Sequence, residues 1–151
     1  MIEEKIEKSG YTLPETAKPL AAYIPALRTG NYVYTSGQVP VVKGELRYAG
    51  KVGQDISLED GQKAAVICAL NGLSAIKSVI GNLDKVEQIV KLTVFVNSEN
   101  GFTDQPKVAN GASEFLGEIF GDAGIHTRSA VGVSELPINS AVEIEMIVKV
   151  K

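Results

Sequence analysis

From Ala141 to Lys151 the chain alternates. Val142, Ile144, Met146, Val148 and Val150 fall on one side, and Glu143, Glu145, Ile147, Lys149 and Lys151 on the other. A period of two predicts a strand with one buried face, so Glu143 and Glu145 share the opposite face. Ser129, Val131 and Val133 alternate with Ala130 and Gly132. Arg128 therefore opens a strand whose small side chains leave room beside the guanidinium for a small anion. Ile89 to Val96 is almost continuously apolar, the pattern of a mostly buried central strand. Ala22 to Leu27 and Tyr32 to Gln38 read as a hairpin around Arg28-Thr29-Gly30-Asn31, where Gly and Asn tolerate positive φ. Gly37, at the end of the second arm, permits a bulge or a close approach to another group. A second hairpin is predicted from Val41 to Val52 about Lys43-Gly44, with Tyr48 in its return arm.

Helical spacing marks three further segments. Ile2 and Ile6 lie four apart in Met1 to Ser9, a one-sided surface helix that Gly10 can stop. Ser57 and Asp60 form a variant capping box opening a long helix, on which Ala65, Cys68, Ala69, Gly72, Ile76 and Ile80 make a small-residue stripe suited to close packing on a sheet. Asn82 and Asp84 turn the chain into the Ile89 strand. After the loop NSENGFTDQP, the apolar positions Val108, Ala112, Phe115 and Ile119 give a second amphipathic helix, ending at Gly121.

The predicted order ββ(β)αβαββ gives an α+β fold: one mixed sheet with two main helices on one face, placed together by right-handed crossovers. The other face then lacks cover. Self-association, with sheets of several subunits closing around a shared barrel, is the simplest solution, and sites would lie between subunits. Residues 1–19 are read as an N-terminal helical extension and 20–151 as one domain, a partition that the length of 151 residues supports.

Composition narrows the function. The chain is 44% hydrophobic and 22% charged, as an ordinary soluble protein is. A net charge of −3 with scattered Lys and Arg provides no basic stripe for a nucleic-acid backbone. A single Cys leaves no intrachain disulfide, and one Cys with one His speaks against a Cys/His metal cage. The acidic N-terminus lacks a signal-peptide core, and no apolar run approaches the roughly 20 residues that span a bilayer. A cytoplasmic protein without cofactor, nucleic-acid or membrane partner is expected.

No Ser-His-Asp spacing, phosphate loop, dinucleotide fingerprint or HExxH pair occurs. His126, in a Gly-Ile-His-Thr loop, reads as a surface residue, and Cys68 as core packing. Two readings of Arg128 stay open: a structural ion pair with Glu143 or Glu145 at a subunit boundary, or a guanidinium fork that grips a carboxylate. Two glutamates carry more negative charge than one arginine satisfies, which leaves one free for water. Tyr23 and Ser36 fit plain strand positions, and Asn110 fits a solvated helix face.

Four blocks, YVYTSGQVP at 32–40, KLTVFVN at 91–97, RSAVGVSELP at 128–137 and AVEIEMIVKV at 141–150, make the chain resemble the Rid (reactive intermediate deaminase, YjgF) family over almost all of residues 20–151. The resemblance implies a chorismate-mutase-like fold and a homotrimer, a trimeric barrel with clefts between neighbours. It implies that Arg128 clamps the carboxylate of a 2-enamino or 2-imino acid and that Glu143 stands by the attacking water. It also implies that Tyr23, Ser36, Gly37 and Asn110 line the cleft with Ser129 and Ala130. Ala130 stands where the family often has cysteine, about four residues are inserted before the second main helix, and the N-terminal helix is additional.

The expected activity is hydrolytic deamination of short 2-imino acids such as 2-aminoacrylate to 2-keto acids and ammonia, with no cofactor. The rivals are a non-catalytic carboxylate-binding sensor and an endoribonuclease or translation inhibitor; the charge balance opposes the last.

Overall fold

A computed structural model describes residues 1–16, 18 and 22–151. Helix α1 (Ile2–Lys8) is followed by strands β1 (Ala26–Thr29) and β2 (Tyr32–Thr35) and a short separate hairpin, β3 (Val41–Val42) and β4 (Glu45–Leu46). Then come α2 (Leu58–Ile80), β5 (Val86–Asn97), α3 (Gln105–Phe120), β6 (Thr127–Val133) and β7 (Val142–Val150). The main sheet has the order β1-β2-β7-β5-β6. All its pairs are antiparallel except β5 with β6.

The α+β class, the mixed sheet and the two main helices agree with the pattern of the sequence. Ser57 caps α2, its hydroxyl accepting from the Asp60 amide at 3.1 Å. Asn82 likewise accepts from the Asp84 amide at 2.8 Å and opens a single 3-10 turn, Leu83–Lys85. Gly81 and Gly121 end the two main helices at φ of 82° and 61°.

Partners across a ladder point to the same face, so the register sorts every strand residue. Leu92 pairs with Met146 and with Arg128. Met146 lies under α2, where a Cβ on Gly72 would stand 2.6 Å from its Sδ. Leu92, Val94, Val96, Met146 and Arg128 therefore face the helices. Lys91, Thr93 and Phe95 face the other way beside Ile147, Glu145 and Glu143. That second face carries Leu27, Tyr34 and Val131, which are 55%, 44% and 44% exposed, and no element of the described chain packs on it.

Several expectations are corrected. The first strand begins at Ala26, not Ala22. Pro25 has no N–H for the ladder and offers only its carbonyl, which accepts from the Ser36 amide at 2.8 Å. The second strand stops at Thr35, and Gln38 returns only as an isolated bridge to Ile144. The Val41–Val52 hairpin shrinks to two residues per arm, and Tyr48 lies outside it at a positive φ of 59°. The central apolar strand is twelve residues long and buried on one face, its other face half-covered.

The one-sided N-terminal helix is more than a surface element, since Ile6 is fully buried. The segment is tied down further by a bond from the Ile2 amide to Asp84 at 2.8 Å and by Tyr11 set edge-on to Phe115, ring centres 5.4 Å apart. Among the described residues one helix, α2, is by length and composition long and apolar enough to cross a membrane, which the apolar runs of the sequence do not predict. It passes that test as a core helix: 67% of its most apolar window is buried against the sheet and α3.

Candidate functional site

Arg128 is the second residue of β6, the edge strand, and lies on the helix-covered face. Its Nη1 donates to Asn110 Oδ1 at 2.8 Å and to Ser113 Oγ at 3.1 Å, two acceptors one turn apart on α3. Among the described residues Arg128 makes no salt bridge, and its hydrogen bonds engage Nη1 alone. The Nε and Nη2 edge, the edge that grips a carboxylate with two parallel bonds, is left for another partner. The ion pair with Glu143 or Glu145 is not formed within the chain, because those carboxylates lie across the sheet. Asn110 also departs from a solvated position: it is half-buried and holds the guanidinium.

The same cluster overturns the reading of His126 as a surface residue. Its ring is half-buried, with Nε2 2.9 Å from Ser113 Oγ and Nδ1 2.6 Å from the Gly124 carbonyl. Sequence reasoning missed Ser113 and His126. The spacing signal was present, since Asn110 and Ser113 are i, i+3 on a helix, but nothing local says which strand that helix face meets.

Glu143 belongs to a second cluster on the open face. Gly37 makes room for it: a Cβ there would stand 2.7 Å from Glu143 Oε1. Backbone bonds between Gln38 and Ile144, 2.8 and 2.9 Å, hold the Gly37 turn against β7. Burial raises the proton affinity of Glu143 above that of an ordinary glutamate, and the neighbouring Glu145 carboxylate adds to it. No cation answers Glu143 among the described residues. Ser36 donates its hydroxyl to the Ile24 carbonyl at 2.6 Å, which fastens the segment bearing Tyr23, 56% exposed, beside Gly37. The Ser36 hydroxyl proton is thereby committed to the backbone.

The candidates thus form two groups. Arg128 and Asn110 stand on the helix side at the β6 edge, with Ala130 on the same face of that strand. Glu143 stands at the other face against Gly37, with Ser36 next in the chain and bonded to Ile24, the neighbour of Tyr23. Ser129, in register with Thr93 and through it with Glu145, turns to the open face and away from Arg128. Cys68 is fully buried, its thiol near the Val142 carbonyl at 3.5 Å, and burial raises its pKa, with Glu143 adding to the effect. Among the described residues no three His, Cys, Asp or Glu side chains gather as a metal site. A surface groove of about 480 Å3 between the N-terminal segment and α2, lined by Glu3, Leu13, Ser74 and Lys77, contains none of the candidate residues.

A mixed sheet backed by two helices, with its polar candidates at a strand edge and on an open face, defines the chorismate-mutase-like α+β class. Residues 3–150 match the family model described as "YjgF/chorismate_mutase-like, putative endoribonuclease". The chain belongs to the YjgF/RidA family. It is 38% identical over 149 residues to Protein TCP17 of Trypanosoma cruzi, covering 98% of this chain and 93% of that protein. It is 32% identical over 138 residues to a 2-iminobutanoate/2-iminopropanoate deaminase of Dermatophagoides farinae, covering 91% and 93%. Among solved structures, a protein of unknown function from Agrobacterium tumefaciens superposes with a TM-score of 0.94 at 39% identity, covering 99% of this chain and 92% of that one.

Proposed function

We propose that the protein hydrolyses short 2-imino acids to 2-keto acids and ammonia, in clefts formed where the Arg128 edge of one subunit meets the Glu143 face of the next. The observation that carries this reading is the guanidinium of Arg128, held by Nη1 alone with its carboxylate-binding edge uncommitted. The deaminase name of the Dermatophagoides farinae relative and the uncovered sheet face support it.

In this mechanism Arg128 pairs with the substrate carboxylate and fixes the imine carbon C2 in the cleft. The enamine first tautomerises to the imine by taking a proton at C3 and losing one from nitrogen. Glu143, its proton affinity raised by burial, accepts a proton from water as the oxygen bonds to C2. It returns that proton to the imine nitrogen, giving the carbinolamine, then takes the hydroxyl proton and passes it to the amino group as the carbonyl forms, the C–N bond breaks and ammonia leaves the 2-keto acid behind. One water is consumed and nothing is oxidised or reduced. Because imines already hydrolyse in water, a general base supplying about 10²–10⁴-fold is sufficient, and a sparse site serves. A homotrimer closing its open faces around a common barrel would bring the two groups together.

The test is release of ammonia and pyruvate from freshly generated 2-aminoacrylate. Acceleration over buffer that is lost in Arg128→Ala supports the reading. Intact pyruvate binding with no acceleration favours a carboxylate sensor instead. RNA cleavage independent of Arg128 would restore the endoribonuclease reading.

A further inference from the structure

With the His126 ring neutral, the hydrogen bonds around it have one consistent arrangement of protons. The Gly124 carbonyl can only accept, so His126 Nδ1 carries the hydrogen across the 2.6 Å contact. In the neutral ring Nε2 is then an acceptor, and the Ser113 hydroxyl donates to it over 2.9 Å. That leaves the Ser113 oxygen lone pairs to receive Nη1 of Arg128 at 3.1 Å. The donors run in one direction: Arg128 to Ser113, Ser113 to His126, His126 to Gly124.

Each end of this chain is anchored. Gly124 is buried in the 3-10 turn Gly121–Gly124 that links α3 to β6. Gln88 Nε2 on β5 donates to the carbonyls on either side, Ala123 at 3.1 Å and Ile125 at 2.5 Å. At the other end Asn110 supplies the second acceptor for the same nitrogen, at 2.8 Å. A guanidinium on a long side chain has several rotatable bonds, and two acceptors one helical turn apart on a single nitrogen remove most of that freedom.

We propose that Ser113 and His126 are positioning residues. His126, as its Nδ1–H tautomer, orients the Ser113 hydroxyl so that its oxygen is presented to Arg128, and the relay sets the direction in which the guanidinium meets a carboxylate. This deepens the deaminase reading and rests on it for its purpose, since neither residue touches the substrate. An unoriented Ser113 would offer its proton to Nη1 part of the time, which is repulsive against a cation that has no acceptor.

The experiment pairs a spectrum that needs no ligand with a binding series. Nitrogen-15 spectra of the His126 ring in the intact protein should show a neutral Nδ1–H tautomer, with the Nε2 resonance moving in Ser113→Ala. Titration with pyruvate should show affinity about tenfold weaker in Ser113→Ala, the cost of one charge-assisted hydrogen bond. Ser113→Thr, which keeps the hydroxyl, should restore affinity, and KM in the deamination assay should follow while kcat holds. In an Arg128→Ala background, Ser113→Ala should change nothing further. An Nε2–H tautomer, or pyruvate affinity in Ser113→Ala equal to the parent, overturns the relay. If the parent protein binds no carboxylate while the ring reads Nδ1–H and responds to Ser113→Ala, the functional reading falls and the relay stands.

Discussion

Arg128 and Glu143 lie on opposite faces of one sheet. Arg128 is in register with Leu92 and Glu143 with Phe95, and those two residues point to opposite sides of β5. A single chain therefore separates the cation that would bind a carboxylate from the base that would act on it. It also prevents the two from cancelling as an ion pair.

Arg128→Ala is expected to weaken pyruvate binding by about 10²-fold, because a bidentate charge-assisted contact is lost. Melting temperature should change little, since the residue is at a strand edge and its two protein partners keep access to water. Calorimetric titration and a thermal melt check both halves. Equal loss of fold and binding would return Arg128 to a purely structural role.

Glu143 carries a pH dependence with a definite sign. Its proton affinity is higher in the fold than in the unfolded chain, so the folded state holds the proton over the window from the ordinary glutamate pKa up to its raised value. Through that window stability falls as pH rises, while the deprotonated base needed for catalysis appears. Glu143→Gln should accordingly melt higher than the parent at neutral pH, with the difference vanishing in acid, and should lose about 10²–10⁴-fold of the acceleration. Melts and rates across pH 4 to 8 measure both.

Gly37→Ala should damage activity without unfolding the protein. The added methyl would sit 2.7 Å from Glu143 Oε1 and push the carboxylate aside. The displaced group is the end of a flexible side chain, so the fold can absorb the change. A rate equal to the parent's would show that the position of Glu143 over Gly37 is irrelevant to the chemistry.

Ile138 is a β-branched residue at φ 54°, 64% exposed, in a turn closed by the Ser140 amide on the Pro137 carbonyl at 3.1 Å. With Asn139 also at positive φ, 60°, the pair forms a turn of the type that favours Asn and Gly. Ile138→Asn should stabilise the protein by about 1 kcal/mol, read from denaturant unfolding.

The open face makes a prediction for assembly. Leu27, Tyr34 and Ile147 stand in one row across β1, β2 and β7. Leu27→Glu should break a trimer into monomers in sedimentation while the deamination rate collapses with it. A parent protein that sediments as a monomer with full activity would sink the shared-cleft reading.

The segments with strong periodicity were legible in the sequence. The alternation of β7, the small-residue stripe of α2, the cap at Ser57, the turn at Asn82 and the shared face of Glu143 and Glu145 all follow from local chemistry, and so does the α+β class. Local pattern also assigned Arg128 to the start of a strand. It failed where the deciding partner is distant in sequence. Pro25 shortened the first strand because its neighbour across the ladder is Ser36. His126 left the surface because a helix thirteen residues upstream offers it Ser113.

What the sequence determined by itself was which residues share a face, because that depends only on the period of each strand and helix. Which face meets which is a property of register and crossover, so only the tertiary structure set Asn110 and Ser113 under Arg128 and Gly37 under Glu143. It alone placed the two halves of the candidate site on opposite sides of the sheet.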